Sequence, residues 1–526
     1  MRTGRMISLV MLALACSFTS GAASTARDAL PKGGTFRLGT TDDPESIDPA
    51  HATPFTAGIL ASLTCLHLLN YADSPRVRLV PEAAAGFPRI SRDGKTYTFI
   101  IRKGLRFNTG KLVTAGTFAA TINRTLRING FAAAEMDPIL GAKAVMGKRA
   151  TAASGVHARG NRLVIKLTAP VPEFPYRTAT PGFCAVPPDL PIDPEGARAP
   201  LPAAGPFYVS SWQRGGRIVL ERNRRYGGRR PRFVDRFVIE LGLDAADVAP
   251  RIERGSLDSG DVASGAHGRL ARRYGINRVQ YFVKPTALVY FLRLNNRRPP
   301  LSAAGSRRAV NFAVDRSALV RAAERTTASE RFGPAWGTPT DQWLVPGMPG
   351  YRNARIYPFR AGISKARALL GKQKSPRRVT LYTRSEEPFV TWAQLIERDL
   401  RKVGLTVTTR FFPLSVLYAK LDTPGEPWDV AAPGGYGPAY PDPASTFEVF
   451  EARGTPARYL RLLRRAKTLR GPARERAYAA LDVALARDGA LSVPFAAYNL
   501  RTFVSKRVGC KIFRPELDLA AVCLKR

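Results

Sequence analysis

The side chains best suited to nucleophilic, metal or phosphate chemistry are few and scattered in this chain. Its 526 residues include four histidines and five cysteines, and none of them stands in a Cys-x-x-Cys, His-x-x-x-His or His-Glu-x-x-His spacing of the kind that zinc sites use. No Gly-x-Ser-x-Gly stretch offers a serine nucleophile. Gly94-Lys95-Thr96 could end a phosphate loop, but Arg89 stands where such a loop needs glycine. We therefore expect a protein that is not an enzyme, with no metal site and no cofactor.

The cysteines fit a different use, which is disulfide bonding. Four of them lie beyond the N-terminal segment, and an even number is consistent with disulfides formed in an oxidising compartment. Sequence alone allows three pairings. We favour Cys510–Cys523, which would close the C-terminal tail, and Cys65–Cys184 would then be the second pair.

The N-terminus has the pattern of a secretory signal peptide. Arg2 and Arg5 precede an apolar run from Met6 to Ala15, which is too short to span a bilayer. The run ends in Leu-Ala-Leu-Ala before Cys16, which indicates a lipoprotein signal with Cys16 as the acylated first residue. Cleavage near residues 21–24 is the alternative. The mature protein is thus predicted to be periplasmic or on the outer face of the cell membrane, with or without a lipid anchor.

The net charge raises the question of a nucleic-acid partner. The chain has 81 Lys and Arg against 41 Asp and Glu, a formal charge of +40. The basic residues are spread along the whole chain, and the densest cluster, residues 222–232, lies between two strand-like runs and reads as a solvated hairpin loop. No nucleic-acid recognition pattern accompanies it. We therefore predict a generally basic exterior, or one attracted to an anionic envelope surface, and no nucleic-acid partner.

The segment from Ser91 to Arg127 shows which elements must position the functional residues. Gly94 belongs to a turn, and residues 97–102 are β-branched and aromatic, as in a strand. A second turn at residues 108–110 follows. Thr114 can then cap a helix whose apolar face carries Ala115, Ala119, Ile122 and Leu126. On its pattern alone, this segment indicates an α/β domain.

The same segment resembles the signature of the family 5 solute-binding proteins, the extracytoplasmic receptors of peptide- and nickel-type ABC importers. The matching residues are Pro81, Glu82, Ala83, Ala84, Phe87, Asp93, Gly94, Tyr97, Phe99, Arg102, Gly104, Phe107, Gly110, Thr114 and Ala115. Further phrases resemble the family at residues 33–38, 46–50, 205–212, 292–301 and 307–316. The resemblance extends from about Gly33 to about Gly509.

This resemblance implies an α/β, two-lobed periplasmic-binding-protein-like fold of type II with an additional inserted domain. We expect a signal peptide and leader at residues 1–30, the first lobe in three segments (31–74, 199–287 and 491–526), the inserted second domain at 75–198 and the second lobe at 288–490.

The second lobe also shows a βαβ unit by pattern. A strand at residues 378–383 precedes a helix with Trp392, Ile396 and Leu400 on its apolar side, and Gly404 ends that helix before a strand at 405–412. Such a crossover predicts a parallel sheet. Helices are expected at residues 459–468 and 473–487, followed by two strands at 491–495 and 501–508 that return to the first lobe.

The candidate ligand loop runs from Gly434 to Pro443. In peptide-binding members of the family, a similar Gly-Trp-x-x-Asp-x-x-Asp-Pro loop packs its aromatic residue on the ligand and pairs its first Asp with the peptide's α-ammonium. Here Tyr436 is at the aromatic position and Ala439 at the ammonium-binding position. Burying an ammonium group without a carboxylate partner costs roughly several kcal/mol of binding free energy. A free peptide N-terminus at this position would therefore need Asp442 or Asp429 to move toward it.

The candidate ligand-binding residues of this loop are Tyr436, Gly437, Ala439 and Tyr440, and the alternative is that the two tyrosines only pack the loop. Trp336, in a loop rich in glycine and proline, is a second candidate that could equally be a buried anchor. His51 and Phe55, in residues 49–56, are candidates for the opposite side of the cleft.

We expect a substrate-binding protein of an ABC importer, a monomer that encloses a peptide-like or other small organic solute and delivers it to a membrane permease. The alternative is a non-transport envelope lipoprotein that keeps the fold as a regulatory or assembly partner.

Overall fold

A computed structural model describes residues 32–51, 56–74, 77–193, 197, 199–324, 335–372, 377–451, 454–513 and 516–525. The predicted signal peptide with Cys16, and the candidate Phe55, lie outside these residues. Among the residues that the structure describes, no helix is both long and apolar enough to cross a lipid bilayer.

The secondary structure alternates between strands and helices along the chain. The strands are β1 (Thr35–Gly39), β2 (Leu69–Tyr71), β3 (Leu79–Pro81), β4 (Arg89–Ile90), β5 (Thr96–Ile100), β6 (Val156–Arg159), β7 (Arg162–Lys166), β8 (Phe207–Gln213), β9 (Arg217–Arg222), β10 (Arg236–Glu240), β11 (Ser259–Asp261), β12 (Tyr281–Leu294), β13 (Gly337–Pro339), β14 (Arg378–Arg384), β15 (Thr406–Phe412), β16 (Val430–Tyr436) and β17 (Ser492–Val504). The α-helices are α1 (Thr56–Thr64), α2 (Ala115–Ile128), α3 (Ala142–Met146), α4 (Phe174–Arg177), α5 (Ala245–Glu253), α6 (His267–Tyr274), α7 (Ala304–Ala313), α8 (Arg316–Glu324), α9 (Ile363–Gly371), α10 (Phe389–Lys402), α11 (Leu414–Asp422), α12 (Pro443–Phe447), α13 (Ala457–Thr468) and α14 (Gly471–Val483).

One large sheet runs through the molecule, in the order β15-β14-β16-β12-β17-β11-β1-β10-β9-β8, and β13 pairs with β17. β12 and β17 are its longest strands, at 14 and 13 residues, and they pair with each other antiparallel. On one side of this pair β12 hydrogen-bonds to β16, and on the other side β17 hydrogen-bonds to β11. The two halves of the sheet are therefore held together by a single long strand pair.

Each half of the sheet has its own core. Phe36, Phe207 and Phe237 are buried in the half that contains β1 and β10, together with residues from the C-terminal segment. The half that contains β14 is covered by buried apolar residues of α7, α8 and α10, such as Trp392, and these share a core with Leu381 of β14. The predicted parallel sheet is confirmed there, because β14 pairs in parallel with both β15 and β16.

A third core belongs to the segment between β1 and β8, which interrupts the half of the sheet that contains β1 in the sequence. Strands β4, β5, β7 and β6 form a separate four-stranded sheet, and α2 packs Phe118, Ile122 and Leu126 into its core. The Thr114 hydroxyl accepts a hydrogen bond from the Thr117 N–H at 3.4 Å, so the predicted N-cap of α2 is confirmed. We propose residues 75–198 as the inserted domain, and we use that name for them below.

The sequence analysis was wrong about the C-terminal strands. It placed two short strands at residues 491–495 and 501–508, whereas the structure has one continuous strand, β17, from Ser492 to Val504. Val493 and Phe495 pack into the core of the β14 half, while Val504 packs into the core of the β1 half. We therefore propose that the boundary between the lobes lies inside β17, because one strand supplies side chains to both cores.

Both cysteine pairings favoured from the sequence are present as disulfides. Cys65–Cys184 joins the end of α1 to the end of the inserted domain across 119 positions, and Cys510–Cys523 closes a short C-terminal loop of 13 positions. The basic cluster at residues 222–232 lies between the antiparallel strands β9 and β10, which confirms the hairpin. The prediction that this loop is solvated was wrong in part, because Tyr226 packs into the core of the segment between β1 and β8 and the buried side chain of Arg230 pairs with Glu82 at 3.8 Å.

Candidate functional site

One parallel strand of each half of the large sheet ends beside the β12–β17 pair, where the halves meet. β11 runs parallel to β1 and ends at Asp261, which lies opposite Thr502 of β17. β16 runs parallel to β14 and ends at Tyr436, opposite Val289 of β12. In open α/β sheets, ligands bind beyond the carboxyl ends of the strands, where the strand order changes. The junction between the halves is therefore the candidate binding site.

Aromatic side chains from the long strand pair line this junction. The Tyr290 ring of β12 lies 4.7 Å from the Trp336 ring and 6.3 Å from the Tyr498 ring of β17, measured between centroids. Tyr290 and Tyr498 are half-buried. Burial raises the pKa of Tyr290 to about 12, and the nearby Arg384 and Arg501 oppose that rise. Tyrosine rings that keep partial solvent access can pack on a ligand and offer it a hydroxyl group.

The structure places Trp336 behind these tyrosines. Only 8% of its surface is exposed, and its ring is 5.2 Å from the Trp392 ring of α10. Trp336 thus packs in the core of the β14 half and supports the wall of the junction. Sequence reasoning missed Tyr290 and Tyr498 because it divided β17 in two and recognised only the end of β12.

The candidate ligand loop is fastened to the start of α12. The Tyr436 hydroxyl donates to the Ser445 carbonyl at 3.0 Å, and the Ala439 N–H donates to the Ser445 hydroxyl at 2.9 Å. Tyr436 is half-buried, while Gly437 and Ala439 are exposed. Tyr440 is 2% exposed and its hydroxyl donates to Glu448 at 3.1 Å. Tyr436 and Ala439 therefore keep contact with solvent, whereas Tyr440 packs the loop.

The two carboxylates that the sequence analysis considered as substitutes at position 439 are both committed elsewhere. Asp442 accepts two hydrogen bonds from Arg474 at 2.7 Å and caps α12 through the Ala444 N–H at 2.8 Å. Asp429 accepts from the Thr380 N–H at 2.7 Å and pairs with Arg298 at 3.2 Å. Both are almost fully buried. Either carboxylate would therefore have to give up these partners in order to reach an ammonium group beside residue 439.

Asp261 is a carboxylate that the sequence analysis missed. Its side chain is exposed, and it makes no hydrogen bond or ion pair with any residue that the structure describes. The surrounding protein nevertheless raises its pKa to about 6 through burial, which Arg501 partly offsets. A carboxylate that contacts solvent and is also partly desolvated by neighbouring protein atoms, as Asp261 is, is typical of a side chain inside a cleft. Burial and the proximity of Asp261 also raise the pKa of the exposed Glu516.

His51 lies in a short helical turn, Pro49–His51, and it is half-buried. Its Nε2 atom is buried without a hydrogen-bond partner among the described residues. The described part of the chain contains no group of three or more His, Cys, Asp or Glu that could hold a metal ion.

Comparison with known proteins agrees with this architecture. The model of the bacterial extracellular solute-binding proteins, family 5, middle part, matches residues 78–455. The chain is 26% identical over 413 residues to the probable D,D-dipeptide-binding periplasmic protein DdpA of Escherichia coli (strain K12), covering 76% of this chain and 73% of that protein. It is 25% identical over 334 residues to the oligopeptide-binding protein OppA of Bacillus subtilis (strain 168), covering 60% of this chain and 59% of that protein.

Among solved structures, the clavulanic acid biosynthesis oligopeptide binding protein 2 superposes with a TM-score of 0.82. The two chains are 21% identical, and the match covers 94% of this chain and 96% of the other. At that identity the likeness establishes the fold, which is the two-lobed type II fold predicted from the sequence.

Proposed function

Because this chain belongs to family 5 of the bacterial extracellular solute-binding proteins, we propose that it is the extracytoplasmic receptor of an ABC importer for a peptide-like solute. The observation that carries this proposal is the junction of the two sheet halves, where Tyr290, Tyr436 and Tyr498 are all half-buried. The peptide-binding names of the relatives support a peptide-like ligand. The family match favours this role over that of a non-transport envelope lipoprotein.

The permease of the importer is the proposed partner, and the receptor works as a monomer. The export signal in the sequence supports a location outside the cytoplasm, and Cys16 would attach the protein to the membrane by a lipid. The proposed role is binding and delivery without covalent chemistry. Closure of the lobes would couple ligand binding to recognition by the permease.

We propose that the ligand's positive group, where it has one, is met by the first lobe. Ala439 supplies no charge, and the carboxylates of Asp442 and Asp429 are occupied. Asp261 is open at the end of β11, on the other side of the junction from the ligand loop. A ligand with a free amine would therefore be oriented with that amine toward β11.

Substitution at Ala439 tests this arrangement. Ala439→Asp adds a carboxylate beside Tyr436, and Ala439→Asn is the neutral control of the same shape. Binding of trialanine and of N-acetyl-trialanine is compared by isothermal titration calorimetry. We expect Ala439→Asp and Ala439→Asn to bind trialanine equally well to within about twofold, because an amine oriented toward β11 cannot form the hydrogen bond between charged groups, of about 1.5–3 kcal/mol, that a carboxylate at position 439 offers. The acetylated peptide should not distinguish the two variants.

Failure of the wild-type protein and of both variants to bind any short peptide would contradict the proposed ligand class. Binding of trialanine that is about tenfold tighter in Ala439→Asp than in Ala439→Asn, with no such difference for the acetylated peptide, would contradict only the orientation of the amine toward β11.

A further inference from the structure

Arg177 connects the inserted domain to the region that follows the ligand loop. It lies at the end of α4, where its Nη1 donates to Glu135 at 3.1 Å and its Nη2 donates to Glu448 at 2.7 Å. Its guanidinium carbon also lies 5.2 Å from the centre of the Tyr440 ring. Glu135 belongs to the inserted domain, whereas Glu448 and Tyr440 belong to the second lobe. One cation thus contacts both domains.

Arg474 makes the reciprocal connection from the second lobe. It lies on α14 and donates two hydrogen bonds of 2.7 Å to Asp442, the last acidic residue of the ligand loop. Its Nη2 also donates to Glu173 of the inserted domain at 3.2 Å. Asp442 ends the ligand loop and caps α12. The Arg474 guanidinium therefore contacts both the end of the ligand loop and Glu173 of the inserted domain.

These contacts join two independently packed cores. Glu173 and Arg177 flank Phe174, which is buried in the core of the inserted domain. Asp442 and Glu448 flank Phe447, which packs with Tyr478 of α14 in a core of the second lobe. The Arg474–Glu173 and Arg177–Glu448 pairs therefore connect two separately packed regions of the chain. A relative movement of these regions would separate both pairs at once.

This cluster contains more carboxylates than cations, so its ionised carboxylates need both guanidinium groups as partners. Four carboxylates face two guanidinium groups, all of them at most one quarter exposed: Glu135, Glu173, Asp442, Glu448, Arg177 and Arg474. Burial raises the pKa of Glu135 to about 7, Arg177 opposes the rise, and Glu448 and Glu173 add to it. Carboxylates gathered in this way are tolerated only while a cation lies between them.

We infer that Arg177 and Arg474 are positioning residues that couple closure of the lobes to the ordering of the ligand loop. This inference rests on the proposed function, because it assumes that the loop at residues 434–443 contacts the ligand. When the inserted domain and the second lobe meet, Glu173 completes the partners of Arg474, and Arg474 holds Asp442 and the loop. When they separate, the loop loses that support. Closure and a formed binding surface then occur together.

Two variants test the coupling: Glu173→Gln leaves the contacts inside the second lobe in place, whereas Glu448→Gln also changes the acceptor of the Tyr440 hydroxyl. Glu173→Gln weakens the interdomain partner of Arg474 and keeps the Arg474–Asp442 pair, while Glu448→Gln removes the more exposed partner of Arg177. Glu221→Gln is the matched control, since Glu221 pairs with Arg236 at 2.7 Å in the sheet of the first lobe. Hydrogen–deuterium exchange of peptides covering residues 436–445 reports on the loop, and small-angle X-ray scattering reports on closure. Both are measured without ligand.

We expect Glu173→Gln and Glu448→Gln each to speed amide exchange at residues 436–445 about tenfold or more, because exchange follows the opening equilibrium. The radius of gyration should increase in parallel. Glu221→Gln should match the wild type in both measurements. Unchanged exchange and radius in Glu173→Gln, with wild-type circular dichroism, would overturn the coupling even if Glu448→Gln exchanged faster, because Glu448 also accepts from Tyr440. Because no ligand is used, that result would leave peptide binding by the wild type intact, and failed peptide binding would leave the coupling measurable.

Discussion

At the scale of single residues, the proposed binding site depends on which acidic side chains have no hydrogen-bond or ion-pair partner among the residues that the structure describes. The chain carries 81 basic residues, and acidic groups inside it are mostly engaged by guanidinium groups or by backbone N–H groups, as Asp442 and Asp429 are. Asp261 is an exception among the described residues, at the carboxyl end of β11. A free carboxylate beside the junction of the lobes can attract a cationic group of a ligand, whereas Ala439 cannot.

Asp261→Asn is therefore predicted to weaken binding of trialanine by about tenfold, since a charged partner is exchanged for a neutral one. The pKa of Asp261 is raised to about 6, so the carboxylate is mostly protonated at pH 5 and ionised at pH 7.5. Wild-type affinity for trialanine should accordingly increase as the pH rises through about 6, and Asp261→Asn should remove that increase. Isothermal titration calorimetry at pH 5.0, 6.0 and 7.5 measures both effects.

Asp247→Asn serves as the control, because Asp247 is exposed on α5 of the same lobe. It should keep both the affinity and the pH dependence of the wild type. A pH profile that is the same in Asp261→Asn and in the wild type would exclude Asp261 as the partner of the amine.

At the scale of elements, local signals in the sequence were sufficient where a structure depends on neighbouring residues. The N-cap of α2 at Thr114 and the end of α10 before Gly404, whose φ is +89°, follow from the types of residues within one turn. The continuous strand β17 was missed because it changes its packing partners midway. Asp261 and the Arg474–Glu173 pair were also missed, since their surroundings are set by residues far apart in the chain, 301 positions in the case of that pair.

Gly205 shows how tightly the connection between the inserted domain and the first lobe is packed. A Cβ atom at this position would lie 2.4 Å from the carbonyl carbon and oxygen of Thr64, at the end of α1. Gly205→Ala is predicted to lower the free energy of unfolding by about 1–3 kcal/mol or more, because the backbone must shift to admit the methyl group. Denaturant unfolding followed by circular dichroism measures the loss.

Gly58→Ala is the matched control for this substitution. Gly58 lies in α1 itself, and a Cβ atom there would meet no other atom within 4 Å. This variant should be as stable as the wild type or more stable by up to about 1 kcal/mol, since alanine favours the helix. If Gly205→Ala were as stable as Gly58→Ala, that result would contradict the close approach of Gly205 to the Thr64 carbonyl group.

At the scale of the whole molecule, one strand pair and two ion-pair contacts define how the lobes can move. β12 and β17 pass from one half of the sheet to the other and form the connection between them. The Arg177–Glu448 and Arg474–Glu173 pairs bridge the inserted domain and the second lobe through side chains outside those two strands. A hinge on one side and a separable contact on the other suit a protein that closes around a solute and opens to release it.

The central claim is that these lobes enclose one small peptide-like molecule, and native mass spectrometry tests it most directly. The purified protein is incubated with a mixed library of peptides of two to five residues and sprayed from a volatile buffer. The account predicts a complex of one chain with one peptide, which is lost when the protein is denatured. A spectrum that contains only the unliganded chain, across the whole library, would contradict it.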